Sequence, residues 1–548
     1  MLTKKLGLVL VILSMMLTAC SNGNEGSNSN SSVNSSKGEV SSFSAENPLE
    51  IKFGTMNNPQ GNDYIELEKM TGETMDNNRW TKLFKEELGI ETKYTLSGAT
   101  GQYSDKLKLA IASNDLPDIY NVPENNLADL KQLAEGGAVQ DIGPLYDQFA
   151  SPLLKSIIEG EGSSIFDSVT FDGKRYGIPV KMPSTNGYNH LWIREDWLKK
   201  LNLQRPKTMD DVYEIAKAFA NDDPDGNGQK DTIGLAMNQG FYNNLGMSGV
   251  FWAYGAFPEF WLKGADGKVT NGTIQPEMKE PLKWLAKMFK EGLVDPEFGS
   301  KDWSKMGDMI TSNKAGMFYG THWYAFMAEG SIKNDPNAKW ITVPLPSGNG
   351  QPVKIAMKNA ADGAWVVREG FEHPEKMIEM LNLYVETLFG DDAEMSKWWS
   401  EGSVGGVWMM SPVRVLKPTL DLEAHADIKV ALANGTTDQL KGIGKNFYES
   451  MQNGAWTMEM MFGPKDTPFD FVASSYPDAV IWDEYQGAPT PTQLTATSTM
   501  HEFMETGLTK FVLGQVDVDS GFDKFVEDWK KLGGQSIMDE INEIKGIK

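Results

Sequence analysis

From about residue 49 onward, short apolar runs take turns with stretches of helical spacing. Leu49-Glu50-Ile51-Lys52-Phe53 alternates apolar and polar positions as a half-buried strand does. Arg79 to Leu88 follows with Trp80, Leu83, Phe84 and Leu88 on one helical face, and Ile90 to Tyr94 again reads as a strand. A helix carrying Leu107 and Ile111 precedes a third strand-like run, Leu116 to Tyr120. Strand, helix, strand, helix, strand predicts right-handed βαβ units and a parallel sheet. Ligands of such sheets sit beyond the carboxyl ends of the strands. That rule selects Asn57 and Asn58 after the first strand, and Tyr120 and Asn121 at the third.

Farther along, helices dominate. Thr208-Met209-Asp210-Asp211 forms a capping box with Asp in place of the usual Glu, and it opens a helix whose Val212, Ile215, Ala216 and Phe219 share a face. Phe522, Phe525, Val526 and Trp529 repeat that spacing, with Gly533-Gly534 as the expected stop. These stripes, like Trp80, are core positions.

The first residues differ from all this. Lys4 and Lys5 precede an uncharged run from Leu6 to Leu17, too short for a comfortable membrane span and suited to a secretory signal. It ends in Leu17-Thr18-Ala19-Cys20, which looks like the lipobox of bacterial lipoproteins, so Cys20 is the expected site of lipidation. Residues 21–47 are rich in Ser, Asn and Gly and read as a flexible tether. The expected address is the extracellular face of a bacterial cell membrane, with the membrane touched through the lipid only.

Composition narrows the function. A formal charge of −24 argues against nucleic acid and against adhesion to anionic lipid. Cys20 is the single cysteine, which excludes an internal disulfide, a thiol nucleophile in the folded body and a cysteine-based metal centre. The five histidines form no HExxH, and GxSxG and GxxxxGK[ST] are missing.

In order and spacing, several motifs together carry a family resemblance. They are Ala110-Ile111-Ala112-Ser113-Asn114-Asp115-Leu116-Pro117-Asp118-Ile119, Tyr176-Gly177-Ile178-Pro179 and Leu191-Trp192-Ile193-Arg194-Glu195-Asp196-Trp197-Leu198. Later come His373-Pro374-Glu375, Pro489-Thr490-Pro491-Thr492 and the run Phe525 to Gly534. The chain resembles the family 1 extracellular solute-binding proteins, and within them the large lipoproteins related to alginate-binding and other oligosaccharide-binding proteins. The resemblance implies an α/β fold of the type II periplasmic-binding-protein kind, with a ligand cleft between two lobes joined by crossing segments. One lobe would hold residues 48–180 and about 345–400, and a more helical one 181–344 and about 401–548. The implied function is capture of an oligosaccharide and its delivery, by a monomer, to the permease subunits of an ABC importer. The alternatives are a binder of peptide or another small solute, for transport or sensing, and a glycoside hydrolase. A hydrolase needs a paired set of carboxylates, and nothing among the acidic residues singles one out, so the chain is read as no enzyme.

A sugar cleft needs aromatic platforms with polar neighbours. The candidates in irregular or glycine-rich contexts are Tyr188, Trp192, Trp252, Phe257, Trp323, Tyr324, Trp399 and Trp408. Arg194 is read as the partner of Asp196, the alternative being a clamp on a uronate. The sharpest chemical signal is Asp223-Pro224-Asp225-Gly226-Asn227-Gly228-Gln229-Lys230-Asp231. Asp223, Asp225 and Asn227 at alternate positions, Gly228, the Gln229 carbonyl and Asp231 follow an EF-hand loop, in which alternate residues turn oxygen inward around Ca2+. Gly234 stands where the bidentate Glu belongs. Truncated calcium loops of this kind in alginate-binding relatives imply a structural ion here.

Overall fold

The computed structural model describes residues 43–548 except 57–61, 161, 182, 244–246, 359–360, 391–392, 402–403 and 548. Cys20, the tether, Asn57 and Asn58 lie outside the described residues. In chain order the strands that matter are β1 (Leu49–Met56), β2 (Ile90–Gly98), β3 (Ile119–Pro123), β4 (Ile178–Val180), β5 (His190–Arg194) and β6 (Ile233–Leu235). They continue with β7 (Ala315–Gly320), β8 (Trp340–Val343), β9 (Ile355–Met357), β10 (Gly363–Val367) and β11 (Val480–Trp482). The first sheet has the order β2-β1-β3-β10-β4, and the second β8-β5-β7-β6.

The βαβ reading holds in the first sheet, where β1 pairs in parallel with both β2 and β3. Gly54 of β1 is required by close approach, because a Cβ there would lie 2.8 Å from that of Tyr120. The helix Arg79–Leu88 starts on Asn78, whose side chain accepts from the amides of Trp80 and Thr81, and ends on Gly89 at φ 62°. Of its apolar face, Trp80 and Phe84 are buried, while Leu83 and Leu88 are partly covered.

The second sheet is buried on both faces, so its strands are nearly all apolar. Period-two alternation divides them. Leu191, Ile193, Met317 and Tyr319 face a core shared with the helix Met209–Asn221 and with Phe522, Phe525 and Trp529. Trp192 and Phe318 point to the other face and to the other core. The capping box at Thr208 forms, with the Thr208 amide and the Asp211 amide each bonded to the other residue's side chain. The expected stop at Gly533-Gly534 does not end the helical run. Gly533, at φ 130°, kinks it, and a second helix, Gln535–Ile544, follows directly.

Residues 181–189 lead from the first sheet to the second, and 344–362 lead back through β9, which pairs in parallel with β11. The segment 399–414 is tied to the first sheet's side: Trp80 Nε1 donates to the Val407 carbonyl (2.9 Å) and Trp365 Nε1 to that of Arg414 (2.9 Å). The helices that follow lie against the second sheet, where Phe469 packs on His322 with ring centroids 4.8 Å apart.

Candidate functional site

At the carboxyl end of β7 the chain runs Thr321-His322-Trp323, and β6 ends beside it into Ala236-Met237-Asn238. The Gln239 amide donates to the Lys301 carbonyl (2.9 Å), which brings Trp303 alongside. Trp303 and Trp323 lie 5.7 Å apart, and Trp323 packs on Tyr324 at 4.5 Å. Trp323 is half-buried, whereas Trp303 is 42% and Phe326 56% exposed. In the turns that follow β7 and β6, Thr321 Oγ1 and Asn238 Oδ1 are buried without a hydrogen-bond partner among the described residues. Such orphaned groups are costly to leave unmade and favour a polar ligand that satisfies them. His190 and His322 are buried neighbours, and burial pushes both imidazoles down to about 3, so both are neutral.

A second platform stands at the carboxyl end of the first sheet. Arg414 spans from β1 to the following turn, with Nη2 donating to the Met56 carbonyl (2.9 Å) and Nη1 to that of Met409 (3.0 Å). Asn78 Nδ2 and Tyr64 OH donate to the carbonyls of Met410 (3.4 Å) and Met409 (3.3 Å). The turn thus held carries Trp408, which stacks on Trp399 with centroids 5.3 Å apart and planes at 18°. Both rings are half-buried, and Thr55 Oγ1 on β1, next to Met56, is another buried hydroxyl without a partner among the described residues.

Several candidates read from sequence are core instead. Trp192 is fully buried, stacked on Phe318 at 5.6 Å with its Nε1 donating to the Gly320 carbonyl (3.3 Å), so it offers no face to a ligand. Tyr120 and Tyr324 are likewise sealed, because strand alternation and the tight turn after β7 point them inward. Asn121 spends its side chain on the Ala364 carbonyl (3.4 Å). Tyr188 is buried against Ser475 (3.3 Å), and Trp252 and Phe257 are buried in the short helix Ser248–Ala253 and the turn after it. Trp323, Trp399 and Trp408 keep accessible ring surface. Arg194 pairs with Asp196 through two contacts of 2.8 and 2.6 Å. Two contributors went unread, Trp303 and Arg414.

The acidic loop is folded on itself. Asp223 accepts from the amides of Gly226 and Gly228 (both 3.1 Å), and Asn227 Nδ2 donates to Asp225 (2.8 Å) and Asp231 (3.2 Å). Lys314 pairs with Asp231, and Lys200 Nζ donates to the Asp223 and Pro224 carbonyls (3.1 and 3.0 Å). Burial and then the neighbouring carboxylates Asp231 and Asp223 hold Asp225 above the usual range. Among the described residues no three His, Cys, Asp or Glu side chains are grouped as a ready metal centre. The glycine at the twelfth position has a structural cause. Gly234 lies in β6 against the helix Met209–Asn221, and a Cβ would come within 2.4 Å of the Ala216 carbonyl oxygen.

Residues 71–384 match the family described as bacterial extracellular solute-binding protein. The chain belongs to this family. Its members are binding proteins, not enzymes. Among relatives, the polygalacturonan/rhamnogalacturonan-binding protein YtcQ of Bacillus subtilis is 22% identical over 80% of this chain and 82% of its own length. Lipoprotein LipO of the same species is 25% identical over 84% of this chain and 88% of its own. The fructooligosaccharide ABC transporter substrate-binding protein FusA of Streptococcus pneumoniae is 26% identical over 68% of this chain and 64% of its own. FusA solved in complex with kestose shares the fold, with a TM-score of 0.60 at 18% identity, covering 91% of this chain and 99% of that one. These neighbours have the type II solute-binding fold. Among the described residues, no helix is long and apolar enough to cross a membrane.

Proposed function

We propose that this chain is the oligosaccharide receptor of an ABC importer, held on the outer face of the cell membrane by a lipid on Cys20. The observation that carries the reading is the pair of aromatic platforms, Trp303/Trp323 and Trp399/Trp408, each at the carboxyl end of one sheet. Indole faces match the C–H faces of pyranose and furanose rings, and the orphaned Thr321, Asn238 and Thr55 oxygens match sugar hydroxyls. A sugar gripped from both sheets would draw the lobes together, because ligand contacts made only in the closed form shift the population towards it. The closed monomer would then dock on the permease. The lipoprotein and oligosaccharide-binding names of LipO, YtcQ and FusA support this assignment.

The loop of Asp223, Asp225, Asn227, Gln229 and Asp231 is proposed to hold calcium. Burial, and after it the neighbouring carboxylates, raise Asp225, and a divalent cation would relieve that crowding. A solved structure of FusA is that of an EF-hand mutant in complex with fructo-nystose, and this supports the reading. The ion would pin the connection between the helix Met209–Asn221 and β6.

A thermal-shift panel of oligosaccharides tests the function. Saturation at about 100 times Kd stabilises the folded state by about 2.7 kcal/mol, and one sugar class is expected to give that rise. No rise with any sugar would move the assignment to a peptide or other small solute.

A further inference from the structure

Beside the links between the two sheets lies a cavity of about 190 Å3, and none of the platform residues lines it. Its walls come from both links and from the helix that precedes β11. Tyr188 stands at the end of the outward link and His190 at the start of β5, while Leu345, Val353 and Ile355 belong to the return. Phe471, Ser474 and Ser475 of the helix Pro468–Ser475 supply the remaining wall. Ala479 ties that wall to the return, its carbonyl accepting from the Ile355 amide (2.9 Å). The inner end is sealed, with Tyr188 and His190 each 2% exposed. Ser474 is exposed and Val353 half-buried, which gives the cavity a mouth to solvent.

The chemistry of the lining narrows the occupant. Every lining side chain is uncharged, because burial keeps the His190 imidazole neutral. His322, the titratable group in its field, is neutral for the same reason. Lys354 and Asp478, next in sequence to lining residues, are exposed, and Lys354 Nζ donates to the Asp478 carbonyl (2.8 Å). A charged molecule would therefore leave water for a wall that offers no counter-ion. A neutral imidazole has one donor and one acceptor, and His190 Nε2 is buried with no hydrogen-bond partner among the described residues. An apolar cavity of about 150 Å3 holds one benzene ring, so this larger one has room for a ring with a short polar arm.

We propose that this cavity is a second binding site, for a small uncharged molecule made of one ring and a hydroxyl, and that its occupancy is coupled to sugar binding. The coupling rests on the oligosaccharide reading above; the site does not. Lobe closure turns the two sheets about the links, and link residues form the walls, so the cavity has a different shape in each form. An occupant that fits one form better shifts the population towards it. By reciprocity, sugar then changes the occupant's affinity by the same factor.

The test uses benzyl alcohol, benzylamine and benzoate, which share a ring and differ in charge, titrated into the purified protein by ligand-observed NMR without sugar. A molecule of about eight heavy atoms should bind with a Kd of about 0.1–10 mM, and the two ions at least roughly tenfold more weakly. Ser474→Phe closes the mouth from an exposed helical position, and it should abolish the binding while the urea midpoint stays unchanged. Calorimetry with the sugar should then show a Kd shifted about fivefold or more by saturating benzyl alcohol, a shift that Ser474→Phe removes. No binding, or binding that persists in Ser474→Phe, overturns the site. Benzoate or benzylamine binding as tightly as the alcohol overturns the ligand class. A sugar Kd indifferent to bound benzyl alcohol overturns the coupling alone, and heat from no sugar overturns the oligosaccharide reading and the coupling together while the NMR result still decides the site.

Discussion

Trp323 and Trp192 are both indoles on the second sheet, yet they should behave oppositely when removed. A sugar ring laid on one face of Trp323 withdraws on the order of 60 Å² of apolar surface from water, worth about 1.5 kcal/mol at 25 cal/mol per Å². Trp323→Ala should therefore raise Kd roughly tenfold. Because the ring is half-buried against Trp303 and Tyr324, the same change should cost only about 1–2 kcal/mol of stability, less than a fully buried Trp. Trp192 is completely covered, stacks on Phe318 at a 9° angle and gives its Nε1 proton to the Gly320 carbonyl. Trp192→Phe loses that bond and leaves a void, so about 2–4 kcal/mol of stability should go. Sugar affinity of the folded fraction should change less than about twofold. Urea unfolding gives the stabilities, and calorimetry with the sugar chosen by the thermal-shift panel gives the affinities. An unchanged Kd in Trp323→Ala, or a larger loss of affinity in Trp192→Phe, refutes the assignment of platform and core.

Three further outcomes are expected. Arg414→Met removes two charge-assisted bonds to carbonyls, so it should cost about 2–4 kcal/mol and weaken sugar binding by loosening the Trp408 turn, read by urea unfolding and calorimetry. Calcium should raise the midpoint of thermal unfolding, EDTA should reverse this, and Asp225→Asn should abolish the difference; equal midpoints with and without the ion would remove calcium from the loop. His190 and His322 are held near 3 when folded but titrate near 6.5 when unfolded, so the unfolded chain takes up more protons between those values. Stability should therefore be full above about pH 6.5 and fall as pH drops towards 3, and His190→Gln should flatten that limb in urea titrations. Asp483, pushed up to about 6 by burial, acts in the opposite sense and loses stability as pH rises through about 4 to 6, so its Asn variant should steepen the acid limb.

The sequence revealed the skeleton more readily than the site. Alternation at Leu49–Phe53 and the face of Trp80 and Phe84 are consequences of burial, and burial repeats with the period of the element. The capping box at Thr208 was legible because its chemistry is local, three residues apart. The strand-end rule selected Tyr120 and Asn121, yet both lie within β3 and are consumed by the core. Aromatic richness selected Trp323, Trp399 and Trp408, whose rings keep accessible surface, but it could not separate them from the buried Trp192, because strand alternation fixes which ring faces out only once the register is known. Arg414 was illegible for a similar reason. Its partners, Met56 and Met409, are main-chain carbonyls, one of them far away in sequence, and a carbonyl leaves no mark in the residue pattern. Gly533 misled because a positive φ can kink a helical run as well as end it.

The most direct measurement of the central claim is a calorimetric titration of the purified protein with the selected oligosaccharide, followed by chromatography of the sugar recovered after overnight incubation. Saturable binding at one site with the sugar returned intact is the predicted result. Absence of heat with every oligosaccharide tried, or recovery of shortened chains, would contradict it.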